Sequence, residues 1–155
     1  PWRGRLVVGE VHDENAVVLG GVGGHAGLFS TLADMERLGT ALAAGGRGLL
    51  RPDTFALMTA AHTDHLNERR GLAWQGRDPV GSPAGEVFGP DSYGHTGFTG
   101  TSLWVDPATE RYAVLLTNRV HPTRTGDGIV AVRRAFHDAA ALLPPVASGR
   151  GHGVE

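Results

Sequence analysis

Residues 94–100 carry the clearest combination of groups that could do chemistry. They read Gly-His-Thr-Gly-Phe-Thr-Gly and lie between an irregular stretch and two strand candidates. Thr96, Phe98 and Thr99 favour an extended backbone, whereas glycine disfavours it by entropy and within a strand usually marks a close approach to the backbone. His95 adds a group that titrates near neutral pH. The segment therefore predicts an edge strand that receives a ligand; a glycine-rich turn with a surface histidine is the alternative.

A sheet must position this segment, and the sequence after it predicts one. Residues 101–105 and 111–117 have strand composition and are joined by a turn at 106–110, so that 94–117 form an antiparallel hairpin. The continuous apolar run 113–116 predicts a strand covered on both faces. A short strand is also expected at 71–75, before a long and potentially functional loop.

Three helices are predicted around that sheet, over about 30–44, 52–61 and 128–143. Ser30 or Thr31 caps the first helix. Apolar residues at helical spacing predict the buried faces of the first and third helices. These residues are Leu32, Met35, Leu38 and Leu42 in the first, and Ile129, Val132 and Phe136 in the third. Near the start of the chain, 5–11 predicts a short strand and 12–15 a polar turn.

Two patterns suggest other chemistries. Residues 21–26 fit G-x-G-x-x-A, the glycine pattern of a dinucleotide site, which places pyrophosphate on a helix N-terminus. That site also requires a βαβ unit, whereas a second helix is predicted next. Residues 62–65, His-Thr-Asp-His, suggest zinc, but no third protein ligand is evident. We therefore expect no metal and no cofactor, and keep a dinucleotide-binding module on 17–44 as a minor alternative.

Composition excludes several function classes. The 155 residues suffice for one domain, and the net charge of −2 gives no basic surface for nucleic acid. No apolar run approaches the roughly 20 residues that a bilayer requires. All 14 basic residues are arginine, so this chain has no Schiff-base lysine and no Ser-x-x-Lys pair. Because the chain begins Pro-Trp without an initiator methionine, we expect a piece of a longer or processed protein.

Five local patterns in order along the chain resemble one family. Residues 23–35 read Gly-Gly-His-Ala-Gly-Leu-Phe-Ser-Thr-Leu-Ala-Asp-Met, 71–74 read Gly-Leu-Ala-Trp, and 95–101 read His-Thr-Gly-Phe-Thr-Gly-Thr. Together with 11–16 and 117–122, they resemble the C-terminal half of a serine β-lactamase-like hydrolase. This superfamily includes penicillin-binding DD-peptidases, β-lactamases and esterases.

The resemblance implies an α+β fold of the β-lactamase/transpeptidase type, present in part. It places residues 1–143 in the C-terminal portion of one domain, followed by a disordered tail at 144–155. The family's fold opens with a helix and two strands, which are expected to precede residue 1. The partners implied are that missing N-terminal half and a small-molecule or peptide substrate with an amide or ester bond, such as a β-lactam or a cell-wall peptide. The family is often extracytoplasmic, but the sequence leaves the location open.

The resemblance also implies roles for individual residues. His95-Thr96-Gly97 matches the family's Lys-Thr-Gly motif, with histidine in place of lysine. His95 would face the cleft, Thr96 and Gly97 would bind substrate, and the Phe98 N–H would be one of two oxyanion-hole donors. The other substrate-binding candidates are Gly23, Gly24 and Asn118.

The chain departs from the family pattern where the nucleophile is concerned. It has no Ser-x-x-Lys, and neither tyrosine stands in a Tyr-x-Asn motif. The sequence therefore predicts one wall of a serine hydrolase active site in a fragment that is inactive alone. A non-catalytic relative that binds a ligand in the same cleft is the main alternative.

Overall fold

The structure is a computed structural model, and it describes residues 3–144. The tail predicted at 144–155 lies outside the described residues except for Pro144. The chain divides into two compact units, Pro1–Met35 and Glu36–Glu155. No helix among the described residues is long and apolar enough to cross a membrane.

The larger unit contains a four-stranded antiparallel sheet. Its strands are β1 (Gln75–Gly76), β2 (Tyr93–Thr96), β3 (Ser102–Asp106) and β4 (Arg111–Leu115), in that spatial order. The predicted hairpin is confirmed: His95 is paired with Leu103 across β2 and β3. The strand expected at 71–75 is reduced to the two residues of β1, with one further bridge from Arg70 to Gln75.

Burial in the sheet is greatest at β3. Every residue of β3 is buried, whereas in β4 only Ala113 is buried. The prediction that 113–116 is covered on both faces is therefore wrong for this chain. Val114 and Leu115 are half-buried and Leu116 is 44% exposed, so the described elements cover the faces of this run only in part.

The core lies between the sheet, the loop before β2 and the last helix, α4 (Ile129–Leu142). Trp104 of β3 is fully buried and clusters with Ala113 of β4 and with Ala84 and Phe88 of the loop. Phe136 of α4 packs against this cluster. Apolar burial between these elements thus fixes α4 on the sheet.

The bounds predicted for α4 are confirmed, and its predicted apolar face is confirmed at Phe136, which packs against the core cluster, but not at Val132. Val132 is 52% exposed and Phe136 only half-buried, whereas Arg133 and His137 are buried at 6% and 0% exposure. Two polar side chains therefore occupy the centre of the helix face where an apolar stripe was expected. Their hydrogen-bond partners, which lie more than 30 residues earlier in the chain, explain the difference.

Two further helices lie where the sequence predicts them: α2 (Leu32–Ala43) and α3 (Pro52–Thr59). Thr31 caps α2, since its Oγ1 accepts from the Asp34 N–H at 3.2 Å and donates to the Asp34 carboxylate at 3.0 Å. Of the apolar stripe predicted for α2, only Leu42 is buried, and Leu32 is exposed. Gly39 lets α2 approach the sheet, because a side chain there would collide with the ring of Tyr112.

The smaller unit differs from the sequence predictions. Residues 5–11 do not form a strand. The polar turn expected at 12–15 instead begins a short helix, α1 (Glu14–Val18), because the Asp13 carboxylate accepts from the Ala16 N–H at 2.8 Å. The dinucleotide interpretation is also wrong, since the apolar run at 17–19 ends a helix and supplies no strand before the glycines.

Candidate active site

The candidate site is built on a tight turn that joins β2 to β3, residues 97–101. The Gly97 N–H donates to the Thr101 carbonyl at 2.8 Å, and the Gly100 N–H donates to the Gly97 carbonyl at 3.0 Å. Gly100 has a φ of +120°, a conformation that other residues rarely adopt. The glycines and threonines of the predicted ligand-binding segment therefore form a turn at the end of β2, and backbone hydrogen bonds within the turn hold it closed.

The edge prediction holds for the second half of β2. Within residues 3–144, β1 pairs with Tyr93 and Gly94 only, so His95 and Thr96 have a strand neighbour on one side there. The reason inferred for the glycines is corrected. A side chain at Gly94 would meet the Leu103 carbonyl and the Trp104 ring, so what approaches this backbone is the protein itself.

His95 is exposed and is oriented by two contacts. Its Nδ1 donates to the Thr96 carbonyl at 2.9 Å, which leaves Nε2 to accept from Arg70 Nη1 at 3.4 Å. Arg70 also binds the Glu68 carboxylate through Nε at 3.0 Å and Nη2 at 2.7 Å. The position of the motif's lysine is thus occupied by a histidine with a permanently charged guanidinium beside it.

Phe98 is held by the segment that follows β4. Arg119 donates from Nε to the Phe98 carbonyl at 2.7 Å, and its guanidinium lies 4.3 Å from the centre of the Phe98 ring. Thr117 Oγ1 donates to the Gly100 carbonyl at 2.7 Å. Asn118 is exposed and lies between these two contact residues in the sequence, and its substrate-binding role remains a prediction.

The turn is also bound from beneath by α4. Arg133 Nη2 donates to the Gly97 carbonyl at 2.6 Å and to the Thr101 carbonyl at 2.9 Å. One turn further along the helix, His137 Nε2 is hydrogen-bonded to Ser102 Oγ at 2.8 Å. Burial lowers the pKa of His137 to about 4, with a smaller contribution from Arg133, so this ring is neutral at pH 7.

Gly23 and Gly24 lie in the smaller unit. A side chain at Gly23 would lie 3.1 Å from the His25 ring, whereas Gly24 faces open space. His25 Nε2 pairs with Asp13 Oδ1 at 2.9 Å. The Ala16 N–H, and then His25, lower the pKa of Asp13. The predicted contact of these glycines with substrate stays a prediction.

Of the side chains considered for zinc, His62 and Asp64 have local partners. His62 Nε2 donates to the Leu57 carbonyl at 2.9 Å, and Asp64 binds Arg69 at 3.0 Å. A cavity of about 340 Å³ lies nearby between α3 and the first two strands, lined in part by Phe55, Thr59 and Tyr93. None of the predicted site residues lines that cavity.

Sequence reasoning missed three arginines that contact residues 95–101: Arg70, Arg119 and Arg133. The signal available was the absence of lysine, which leaves arginine as the source of every fixed positive charge. That signal does not say which of the 14 arginines are close to residues 95–101.

Comparison with known proteins agrees with this fold. The family model Beta-lactamase matches residues 2–136. A protein of Escherichia coli strain K12 named "Putative D-alanyl-D-alanine carboxypeptidase" is 38% identical over 120 residues, which are 73% of this chain and 27% of that protein. A protein of the same name from Salmonella enteritidis is 42% identical over 126 residues, 77% of this chain and 29% of the relative.

A solved β-lactamase structure from Mycobacterium bovis also resembles this chain, with a TM-score of 0.64 and 24% sequence identity. The superposition covers 74% of this chain and 44% of that one, and at this identity it shows the fold alone. The chain thus spans less than a third of the curated relatives it matches.

Proposed function

The chain belongs to the serine β-lactamase-like family, and on that premise we propose that it forms one wall of an active site that cleaves an amide or ester through an acyl-enzyme. The nucleophilic serine and its base would come from sequence outside this chain, because no lysine is present here. The observation that carries the proposal is the His95-Thr96-Gly97 segment on an open edge, followed by a turn whose carbonyl groups are bound by side chains at four positions.

In the proposed reaction, the serine oxygen forms a bond to the substrate carbonyl carbon and its proton passes to the base. The carbon–nitrogen or carbon–oxygen bond then breaks, and the leaving group takes up that proton; water releases the acyl group by the same steps. The Phe98 N–H would stabilise the negative oxygen in both halves. One such donor contributes roughly 2.7–4 kcal/mol to transition-state stabilisation.

The substrate proposed is one with an anionic group near the scissile bond. Arg70 brings a charge to the His95 ring, and Thr96 lies on the same open edge. Together they suit a carboxylate, as found in a peptide with a free C-terminus or in a β-lactam. Asn118 would supply a further substrate contact. Esters without a carboxylate would be poorer substrates.

The test is made on full-length protein, obtained by extending the coding region upstream of residue 1. We expect a fluorescent penicillin to label one serine covalently, and p-nitrophenyl acetate or a D-alanyl-D-alanine peptide to be hydrolysed. Residues 1–155 alone should hydrolyse neither nitrocefin nor p-nitrophenyl acetate above background. Saturable ligand binding with no label and no turnover would instead support the non-catalytic relative.

A further inference from the structure

A polar contact in the larger unit joins α4 to the β2–β3 turn. A single nitrogen of Arg133, Nη2, spans the carbonyl oxygens of Gly97 and Thr101. These groups are 36 and 32 residues away in sequence, so the contact is created by the packing of the helix on the sheet. Within residues 3–144, these two carbonyls are the hydrogen-bond partners recorded for Arg133.

This arrangement is poorly explained as a stabilising interaction. Arg133 is 6% exposed, and no carboxylate among the described residues pairs with it. Its Nε is buried without a hydrogen-bond partner in the described part of the chain. Burial lowers the pKa of Arg133, and the positive charge of Arg119 lowers it further. A buried charge of this kind usually costs stability unless it is fully paired.

The geometry of the peptide group connects Arg133 to the proposed chemistry. The Gly97 carbonyl and the Phe98 N–H belong to the same peptide unit. In a trans peptide they lie in one plane and point in opposite directions, so a donor that fixes the carbonyl also fixes the direction of the N–H. A hydrogen bond from a charged donor is also shorter and stronger than one from a neutral donor, and hydrogen bonds in a chain polarise one another.

We propose that Arg133 is a positioning residue that orients and polarises the Gly97–Phe98 peptide, so that the Phe98 N–H serves as an oxyanion-hole donor. The inference rests on the proposed function, because it assigns Arg133 a role in that same site. Arg133 touches neither substrate nor the reacting atoms and acts through the peptide unit alone.

A neighbouring contact supports the same role. Arg119 Nε binds the Phe98 carbonyl at 2.7 Å, which fixes the next peptide unit along the chain. Two consecutive carbonyls are thus each bound by a guanidinium, one from α4 and one from the segment after β4. Rotation of either peptide plane would break a charge-assisted hydrogen bond. The Phe98 N–H, which lies between the two carbonyls along the chain, is therefore held in one direction.

The test uses three variants of the full-length protein. Arg133→Gln removes the charge and retains an N–H donor, and Arg133→Lys retains the charge with fewer fixed donors. Arg134→Gln is the matched control, because Arg134 is the next residue of α4 and pairs with exposed Glu86. Thermal unfolding of each variant identifies loss of fold. If Arg133→Gln does not fold, the comparison is made with Arg133→Lys.

We expect kcat and kcat/KM for a p-nitrophenyl ester to fall together by about ten- to a hundred-fold in Arg133→Gln. This is less than the loss of the donor itself, which is about a hundred- to a thousand-fold. Arg133→Lys should lose less than Arg133→Gln, and Arg134→Gln should stay within about twofold. Affinity for phenylboronic acid, whose tetrahedral anion on the serine mimics the oxyanion, should fall in proportion to kcat/KM across the variants.

The outcomes separate the two proposals. Wild-type protein that neither turns over substrate nor takes a covalent label would overturn the proposed function and this inference with it. Active wild-type protein with equal rates in folded Arg133→Gln and Arg134→Gln would overturn the inference alone. A rate loss in Arg133→Gln without the proportional loss of boronate affinity would also overturn it, because a merely structural role predicts that pattern.

Discussion

Two segments of this protein look alike in sequence: 20–27, in the smaller unit, and 94–100, in the larger. Each is rich in glycine and contains one histidine. In 94–100 the glycines are closely surrounded, since added side chains would strike Trp104, Thr101 or Thr117. In 20–27, Gly20, Gly21 and Gly24 face open space. Glycine content therefore indicates where other groups can approach a backbone closely. Whether they do so depends on which side chains the fold brings there from elsewhere in the chain.

The comparison of the two histidines predicts the largest effect. His95→Ala in the full-length protein removes the ring that faces the proposed cleft and holds Arg70. We expect kcat/KM on good substrates to fall by about ten- to ten-thousand-fold. His25→Ala, which loses only an exposed pair with Asp13, should change it little. A normal rate in a folded His95→Ala protein would remove His95 from the site.

The two sets of glycines differ next in their tolerance of a methyl group. Gly94→Ala places a Cβ against the Leu103 carbonyl and the Trp104 ring, and the backbone there cannot move aside. We expect unfolding in urea to show a loss of about 3 kcal/mol or more. Gly24→Ala, at an open position, should change stability by no more than about 0.5 kcal/mol. Equal midpoints for the two variants would contradict the packing described for β2.

The buried histidine of the larger unit predicts a dependence of stability on pH. The pKa of His137 is about 4 in the folded protein and 6.5 for the unperturbed side chain. As the pH falls, the unfolded chain therefore takes up the proton before the folded protein does. The contribution of neutral His137 to the free energy of unfolding is complete above pH 6.5 and is lost as the pH falls to 4. The loss is on the order of 3 kcal/mol, at about 1.4 kcal/mol for each pH unit.

His137→Gln should reduce this slope when urea unfolding is measured from pH 7 to pH 4. His65→Gln, which changes an exposed ring in the larger unit, is the control and should leave the slope unchanged. An identical slope in wild type and His137→Gln would assign the acid sensitivity to other groups.

The smallest effect is expected in the smaller unit. Asp13→Ala removes the carboxylate that caps α1 through the Ala16 N–H. The loss should be about 1 kcal/mol, the usual cost of an N-cap. Asp13→Asn retains a cap acceptor and should restore most of it. If both variants match wild type in a urea titration, the cap contributes nothing to the stability of the full-length protein.

The sequence predicts what depends on neighbours along the chain. The bounds of α2 and α4 follow from spacing and flanking residues, and the β2–β4 hairpins follow from short strands joined by turns. The resemblance of 95–101 to a known motif identified the site segment. These signals are local, so they can be recognised without knowing how the chain packs.

Contacts between distant segments account for the errors. Val132 fits an apolar stripe, yet α4 buries Arg133, because the carbonyls that bind it come from the β2–β3 turn. Residues 113–116 have the composition of a covered strand, yet Leu116 is exposed. Coverage of a sheet face depends on elements that pack on it from elsewhere in the chain. Arg70 is unremarkable in sequence, and its approach to His95 depends on the pairing of β1 with β2.

The contact from Arg133 to Gly97 also has a consequence for the order of folding. The strands of the sheet pair with neighbours along the chain, which costs little loop-closure entropy, whereas Arg133 must close a segment of 36 residues. We expect the β2–β4 meander to form before α4 docks on it. The Phe98 peptide would then acquire its fixed direction only at that last step, so a newly made chain would hold its strands before it holds its proposed oxyanion donor.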